Sequence, residues 1–404
     1  MRLIRILIIL VLTLSSACTS VVRNPVPETD HLNVTVLDRD DLRQWGDRKR
    51  SKILSNLQGA DDLEQNYGGI MHREHHYLVI SGGGAEGAYG AGVLSAWTEL
   101  GSRPEFAIVT GVSTGALTAP FAFLGGEYDK ILRQVYTTLD TEQVFNTRSL
   151  WSLVGGDSVV DTSPLSRLIE DYVGDELIEA LAREHRRGRI LLIGTTNLDA
   201  GRPTIWNITR IAASGHPDAP DLVRKVLLAS ASIPGIFPPV YIEVETPDGR
   251  KYDEMHVDGG VSGQMFFYPS IVDWESIAEI LDVKGVPKIH VIRNAFVYAD
   301  YEVMKPRLLP ITERTLYSLI RTQGSGDFYR IWTLAERDGL DLSVTWIPES
   351  AREQIGVEPS EVFDPDYMRA LFNYGYRRTL QENTWKNFSE FLDATEAAEL
   401  PDTN

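Results

Sequence analysis

Two polar residues flanked by glycines carry the chemistry this chain suggests. Ser113 sits in Gly111-Val112-Ser113-Thr114-Gly115, and Asp258 in Val257-Asp258-Gly259-Gly260. A serine hydroxyl becomes a useful nucleophile only beside a base. The G-x-S-x-G pattern, placed between a strand and a helix, holds its serine in a sharp turn with the hydroxyl above the sheet. A third motif lies about 30 residues upstream. Ser81-Gly82-Gly83-Gly84-Ala85-Glu86-Gly87 contains G-x-G-x-x-G at Gly82, Gly84 and Gly87. Glycines there let backbone N–H groups converge at a helix N-terminus, where the dipole favours negative charge. An oxyanion hole needs such donors. The same pattern also marks dinucleotide sites, which expect an acidic residue at the end of the next strand. Here that strand ends in Val109-Thr110-Gly111, and Glu99 and Glu105 precede it, which turns the reading away from a nucleotide. A turn that only packs strand on helix is the bland alternative.

The usual base for a serine is histidine, oriented by aspartate. The chain has eight histidines. His31, His72, His75 and His76 precede the sheet motifs, and His185 and His216 lie in charged or loop segments. His256 is just before Asp258. His290 lies inside an apolar strand, where a packed structural role is the commoner one. Asp258 with His290 supplies a Ser–Asp–His order, but a catalytic histidine belongs on a loop after the last strand. Asp258 alone is the better base, because a carboxylate held close to the serine and partly desolvated gains basicity. In isolation, Asp-Gly-Gly reads as a surface turn.

Alternating strands and helices position these residues. Tyr77–Ile80 is an apolar run of the buried parallel type, followed by a helix from Ala88 to Leu100. Phe106–Thr110 reads as the next strand, then the Ser113 turn and a helix over Thr114–Leu124. Arg189–Thr196 is a third strand, with Ile205–Thr209 as a possible neighbour. Asp221–Ala231 is helical and Lys288–Arg293 a late strand. The pattern predicts an α/β sandwich with a mainly parallel sheet, and mostly helix and loop after about Asp300. His31–Met71 reads as mixed and charged, with one or two short helices on the outside.

The chain has 404 residues and a formal net charge of −18. That balance argues against nonspecific nucleic-acid binding and against electrostatic adhesion to anionic membranes. The N-terminus has Arg2 and Arg5, an apolar run over Ile6–Leu12, the small residues Ser15, Ser16 and Ala17, and then Cys18, the single cysteine. This is the layout of an export signal, too short in its apolar part to span a bilayer. Leu14-Ser15-Ser16-Ala17-Cys18 resembles the lipobox of bacterial lipoproteins, with the leucine one place further from the cysteine than is usual. The resemblance implies a lipidated Cys18 after removal of residues 1–17. Thr19 in second place suggests sorting to the periplasmic face of an outer membrane. An ordinary cleaved signal is the alternative. Losing Arg2 and Arg5 would take the formal charge from −18 to −20. Residues 18–76 then form a tether, with Pro25 and Pro27, and an N-terminal extension.

Taken in order, the glycine run, G-x-S-x-G and Asp-Gly-Gly resemble the patatin-like phospholipase family. A fourth block, Ala229-Ser230-Ala231-Ser232-Ile233-Pro234-Gly235-Ile236-Phe237-Pro238-Pro239-Val240, is similar to the proline-rich segment that precedes the aspartate in that family. The likeness covers about residues 77–271, leaving 272–404 as a C-terminal strand and helical extension. It implies a three-layer α/β/α fold and a serine acyl hydrolase working on lipid or phospholipid through a Ser–Asp dyad. Ser113 would be the nucleophile, Asp258 the general base, and Gly82, Gly83, Gly84 and Gly87 the oxyanion hole. Gly111, Gly115, Gly259 and Gly260 would shape the elbow and dyad turns. No metal or organic cofactor is implied. Glu86 stands where many members carry a basic residue, so the headgroup is less fixed than the ester chemistry. Two other readings remain: an esterase or thioesterase for small soluble esters, and an inactive lipid- or partner-binding lipoprotein.

Overall fold

The computed structural model describes residues 23–47, 63–144, 146–147, 160–161, 163–234, 236–268, 272–298, 301, 303–381 and 384–399. Residues 1–17, where the sequence suggests an export signal, and Cys18 and Thr19 lie outside the described residues.

In chain order the elements used below are β1 (Arg43–Trp45), β2 (His76–Ile80), α1 (Gly87–Glu99), β3 (Ile108–Val112), α2 (Thr114–Leu124), α3 (Asp129–Thr138), α4 (Ser163–Tyr172), β4 (Ile190–Asn197), β5 (Arg202–Asn207), α5 (Ala219–Ser230), β6 (Val240–Glu245), β7 (Lys251–Asp258), β8 (Lys288–Phe296), α6 (Leu308–Asp338), β9 (Asp341–Ile347) and α7 (Pro365–Leu380). The strands form one nine-stranded sheet. Its order is β1-β5-β4-β3-β2-β8-β9, with β7 on β4 and β6 on β7. The run β4-β3-β2-β8-β9 is parallel, whereas β1, β5, β6 and β7 pair antiparallel.

Side chains alternate across a strand, so each strand feeds two cores. Leu78 and Ile80 face one side with Leu94 and Phe121, while Tyr77 and Val79 face the other with Phe267 and Phe328. Both faces are covered, as a parallel sheet requires. The α/β sandwich with a mainly parallel sheet read from the sequence, and the three layers implied by the family resemblance, are therefore the arrangement observed.

Several boundaries differ. The strand expected over Phe106–Thr110 runs from Ile108 to Val112, up to the elbow itself. The one expected over Ile205–Thr209 is β5, which ends at Asn207 because the Asn207 side chain accepts from Arg210 N–H and caps a helix there. The region after Asp300 is not only helix and loop, since β9 extends the parallel sheet beyond β8. Within His31–Met71, β1 joins the sheet edge and Leu63–Tyr67 is a short helix. Among the described residues, no helix is long and apolar enough to cross a membrane.

Candidate active site

Ser113 stands between β3 and α2 with φ 55° and ψ −126°, a left-handed conformation that a non-glycine residue rarely adopts. The turn holds because the surrounding backbone fits it closely. A Cβ on Gly115 would lie 2.4 Å from the Ile80 carbonyl, and one on Gly111 would lie 2.5 Å from the Gly115 carbonyl. Strand, helix and glycine loop thus meet at van der Waals range. Ser230 supplies the remaining restraint. Its hydroxyl donates to the Gly194 carbonyl at 2.7 Å and accepts the Ser113 N–H at 3.0 Å.

Asp258 ends β7. Its Oδ2 accepts the Ser113 Oγ–H at 2.6 Å, and its Oδ1 accepts the Gly260 N–H at 2.7 Å. Its own N–H donates to the Ser232 carbonyl at 2.9 Å. The Ala229–Ser232 segment therefore touches both members of the pair, through Ser230 to Ser113 and through Ser232 to Asp258. Gly259 must lack a Cβ, which would sit 2.3 Å from the Gly194 carbonyl. Asp258 is 4 % exposed and Ser113 8 %. Burial pushes the Asp258 carboxyl up to about 7, against the opposing pull of the hydrogen bonds from Ser113 and Gly260. A carboxylate with that affinity for protons is suited to general base work near neutrality.

The glycine loop runs from the end of β2 over the serine. Gly82 N–H donates to the Gln264 carbonyl at 3.2 Å, and Gly87 N–H is taken by the Gly84 and Ala85 carbonyls. These two are thus spent on shaping the loop, not on an oxyanion. The N–H groups of Gly83 and Gly84 carry no hydrogen bond among the described residues. Gly84, with φ 58°, lies on the wall of the same cavity as Ser113. Asn294, at the end of β8, braces the loop. Its N–H donates to Ser81 Oγ at 2.9 Å, its Nδ2 to the Ser81 carbonyl at 3.1 Å, and its Oδ1 accepts the Gly90 N–H at 3.1 Å. A Cβ on Gly83 would lie 2.1 Å from the Asn294 carbonyl. Gly83→Ala must therefore displace the loop. The expected result is a 10²- to 10³-fold fall in kcat, the order found on loss of one oxyanion donor, with unchanged far-UV circular dichroism. An undiminished kcat would remove this loop from the catalytic account.

The histidines stand apart. His290 pairs in register with Leu78, which pairs with Val109, four residues short of Ser113. At about 3.3 Å per residue that is roughly 13 Å down the sheet. His290 contacts Ser343 Oγ and His76 and is ringed by Trp97, Phe106 and Trp385. Burial drives its pKa down to about 3. His256 is held by Glu254 and Thr195. A triad through either is excluded by these contacts. Ser230, Ser232, Gln264 and Asn294 were not singled out for chemistry in the sequence, although Ser230 and Ser232 lie in the proline-rich block. Among the described residues, no cluster of three or more His, Cys, Asp or Glu side chains is arranged to hold a metal ion.

Beside Ser113 opens an apolar cavity of about 110 Å³. Its walls come from α2 (Leu117, Phe121), α3 (Leu132, Val135), α4 (Leu165, Ile169) and the C-terminal region (Phe363, Met368). The roomier clefts, such as one of about 340 Å³ beside Glu243 and Lys251, are polar and reach neither Ser113 nor Asp258. Glu86 lies half-buried at the loop, with Tyr367 O–H donating toward its Oε1 at 3.5 Å. Burial raises its pKa to about 6.

A family model described as patatin-like phospholipase matches residues 78–268. Over 210 residues, 50 % of this chain, the sequence is 28 % identical to a patatin-like phospholipase domain-containing protein of Aspergillus clavatus. It is also 28 % identical over 209 residues to one of Aspergillus niger. The chain spans only 27 % and 26 % of those two relatives. Among solved structures, VipD from Legionella pneumophila aligns at TM-score 0.34 and 14 % identity, covering 78 % of this chain and 68 % of that one. Human GIVD cytosolic phospholipase A2 aligns at TM-score 0.36 and 9 % identity, covering 88 % and 66 %. Likenesses that loose bear on no functional point. The family match spans the glycine loop, the elbow and the aspartate, and it is over residues 78–268 that this chain is similar to the patatin-like phospholipase family.

Proposed function

We propose that the protein is a serine acyl hydrolase that cleaves fatty acyl esters of lipids through a Ser113–Asp258 dyad. The observation that carries this reading is the 2.6 Å contact between Ser113 Oγ and a buried Asp258 oxygen, with Ser113 on the wall of an apolar cavity. Ser113 Oγ attacks the ester carbonyl carbon while Asp258 Oδ2 takes its proton. The carbonyl oxygen becomes an oxyanion facing the N–H groups of Gly83 and Gly84. Asp258 returns the proton to the departing alcohol as the C–O bond breaks, leaving an acyl-serine. Water then attacks that ester, Asp258 accepts its proton, and Ser113 leaves with the proton restored as the fatty acid is released.

The cavity supports an acyl chain over a small polar ester, because burying apolar surface contributes about 0.8 kcal/mol per CH₂. Ile169 lines it and is buried. Ile169→Phe narrows the space, so kcat/KM for dodecanoyl esters should drop at least tenfold relative to butanoyl esters. A length profile identical to wild type would detach the cavity from the acyl chain. The same reading includes export and attachment to a membrane through a lipid at Cys18. It is tested by mass spectrometry of the mature N-terminus: an acylated Cys18 supports it, and an unmodified residue there contradicts it.

A further inference from the structure

The net charge of −18 turns the surface as a whole away from anionic membranes, but one helix departs from that balance. α6 has 31 residues, about 46 Å at 1.5 Å per residue. The strand it leads into, β9, has 7 residues, about 23 Å. α6 is the crossover between parallel strands β8 and β9, so it runs antiparallel to them. Its N-terminal half must overshoot the carboxyl edge of the sheet, the edge that carries Ser113. The contacts mark where it crosses. Arg293, level with Trp346 near the end of β8, donates from Nη2 to the Arg321 carbonyl at 3.3 Å and to Ser325 Oγ at 3.2 Å. Asp327 accepts the Gln264 N–H at 2.6 Å, and Gln264 O in turn accepts from Gly82 of the catalytic loop. From there on the helix is buried through Phe328, Ile331 and Leu334.

Before that crossing the helix stands out from the body. Tyr317, Ser318, Leu319 and Ile320 are four consecutive exposed residues, with Leu319 at 61 % and Ile320 at 43 %. Val303, in the segment leading in, is 78 % exposed. Residues 301–323 hold Lys305, Arg307, Arg314 and Arg321 against Glu302 and Glu313. Apolar and basic side chains, Arg314 and Arg321 on the projecting helix and Lys305 and Arg307 in the segment leading into it, in an otherwise acidic protein, match an interface of acyl chains and anionic headgroups.

We infer that the N-terminal half of α6 docks onto an anionic lipid surface and brings the Ser113 edge of the sheet against it. The biological use of this contact rests on the lipid-hydrolase reading, but the contact itself can be tested apart from turnover. Cys18 is the single cysteine, so full-length protein with Cys18→Ala and Ser318→Cys takes one environment-sensitive dye on the helix. Phosphatidylglycerol vesicles should blue-shift and brighten that dye. No response to them overturns the inference. A response that instead grows with protein concentration before vesicles are added also overturns it, and assigns the helix to a second copy of the chain. In the second arm, Leu319→Glu with Ile320→Glu should lower hydrolysis of vesicle lipid at least tenfold while a soluble short-chain ester is turned over within twofold of wild type. Unchanged vesicle hydrolysis beside a working soluble assay overturns the inference. A wild-type protein inert toward both substrates contradicts the hydrolase reading instead, and leaves the dye result to decide the docking.

Discussion

Ser113→Ala is expected to lower kcat on acyl esters by about 10⁴ to 10⁶, the range seen when a serine nucleophile is removed from such a unit. The fold should persist. The side chain points to Asp258 and supports no backbone bond, while the N–H that does, to Ser230, is kept. Thermal unfolding and circular dichroism would confirm this alongside steady-state rates. Retained turnover would mean that the hydroxyl is not the attacking group.

Asp258→Asn is expected to act on rate and stability in opposite directions. The amide cannot take the serine proton, so kcat should fall by about 10³ or more, on the scale of general base and nucleophile activation together. Stability should rise. Burial holds the native carboxyl up at about 7, well above the ordinary range of an aspartate. A carboxyl whose pKa is raised by folding binds its proton more tightly in the native state. The ionised form is therefore penalised there, and stability is lost as pH climbs from about 4 through 7. A carboxyl raised from about 4 to about 7 corresponds to about 4 kcal/mol at alkaline pH. The melting temperature of Asp258→Asn should match wild type near pH 4 and exceed it increasingly up to pH 8. In wild type, kcat/KM should climb with pH to a plateau above about 7, because only ionised Asp258 serves as base. A profile with its midpoint near 4, or a variant no more stable than wild type at pH 8, would contradict a desolvated base.

Much of this site was readable from local sequence because its parts are short and glycine-bound. Gly111, Gly115 and Gly259 mark places where a Cβ would strike backbone within 2.6 Å, and such approaches leave a pattern in a few consecutive letters. The supporting residues leave none. Asn294 reaches Ser81 across 213 positions and Ser230 reaches Ser113 across 117. An asparagine at a strand end or a serine in a helix looks ordinary until the fold brings its partner. The same holds for the division of labour in the glycine loop. Four glycines resemble one another as letters, but the Gln264 carbonyl claims Gly82 and the first turn of helix claims Gly87. β9 was missed for a related reason. Leu342, Val344 and Trp346 alternate as a strand should, yet seven residues after a long helix are a weak signal until β8 offers an edge to pair with.

Glu86 illustrates where sequence comparison and geometry diverge. As a letter it unsettles the headgroup, because a basic residue is common there. In the fold it is drawn toward the Tyr367 hydroxyl of α7, away from the serine's own partners.

The central claim is that Ser113 is activated by Asp258, and a long-chain alkyl fluorophosphonate tests it most directly, since the reagent phosphonylates an activated serine and needs no knowledge of the substrate. Peptide mass spectrometry should find one adduct, on Ser113, forming with a rate that falls by half near pH 7 and at least a hundredfold in Asp258→Asn. An adduct on another residue, or Asp258→Asn labelled as fast as wild type, would contradict the dyad.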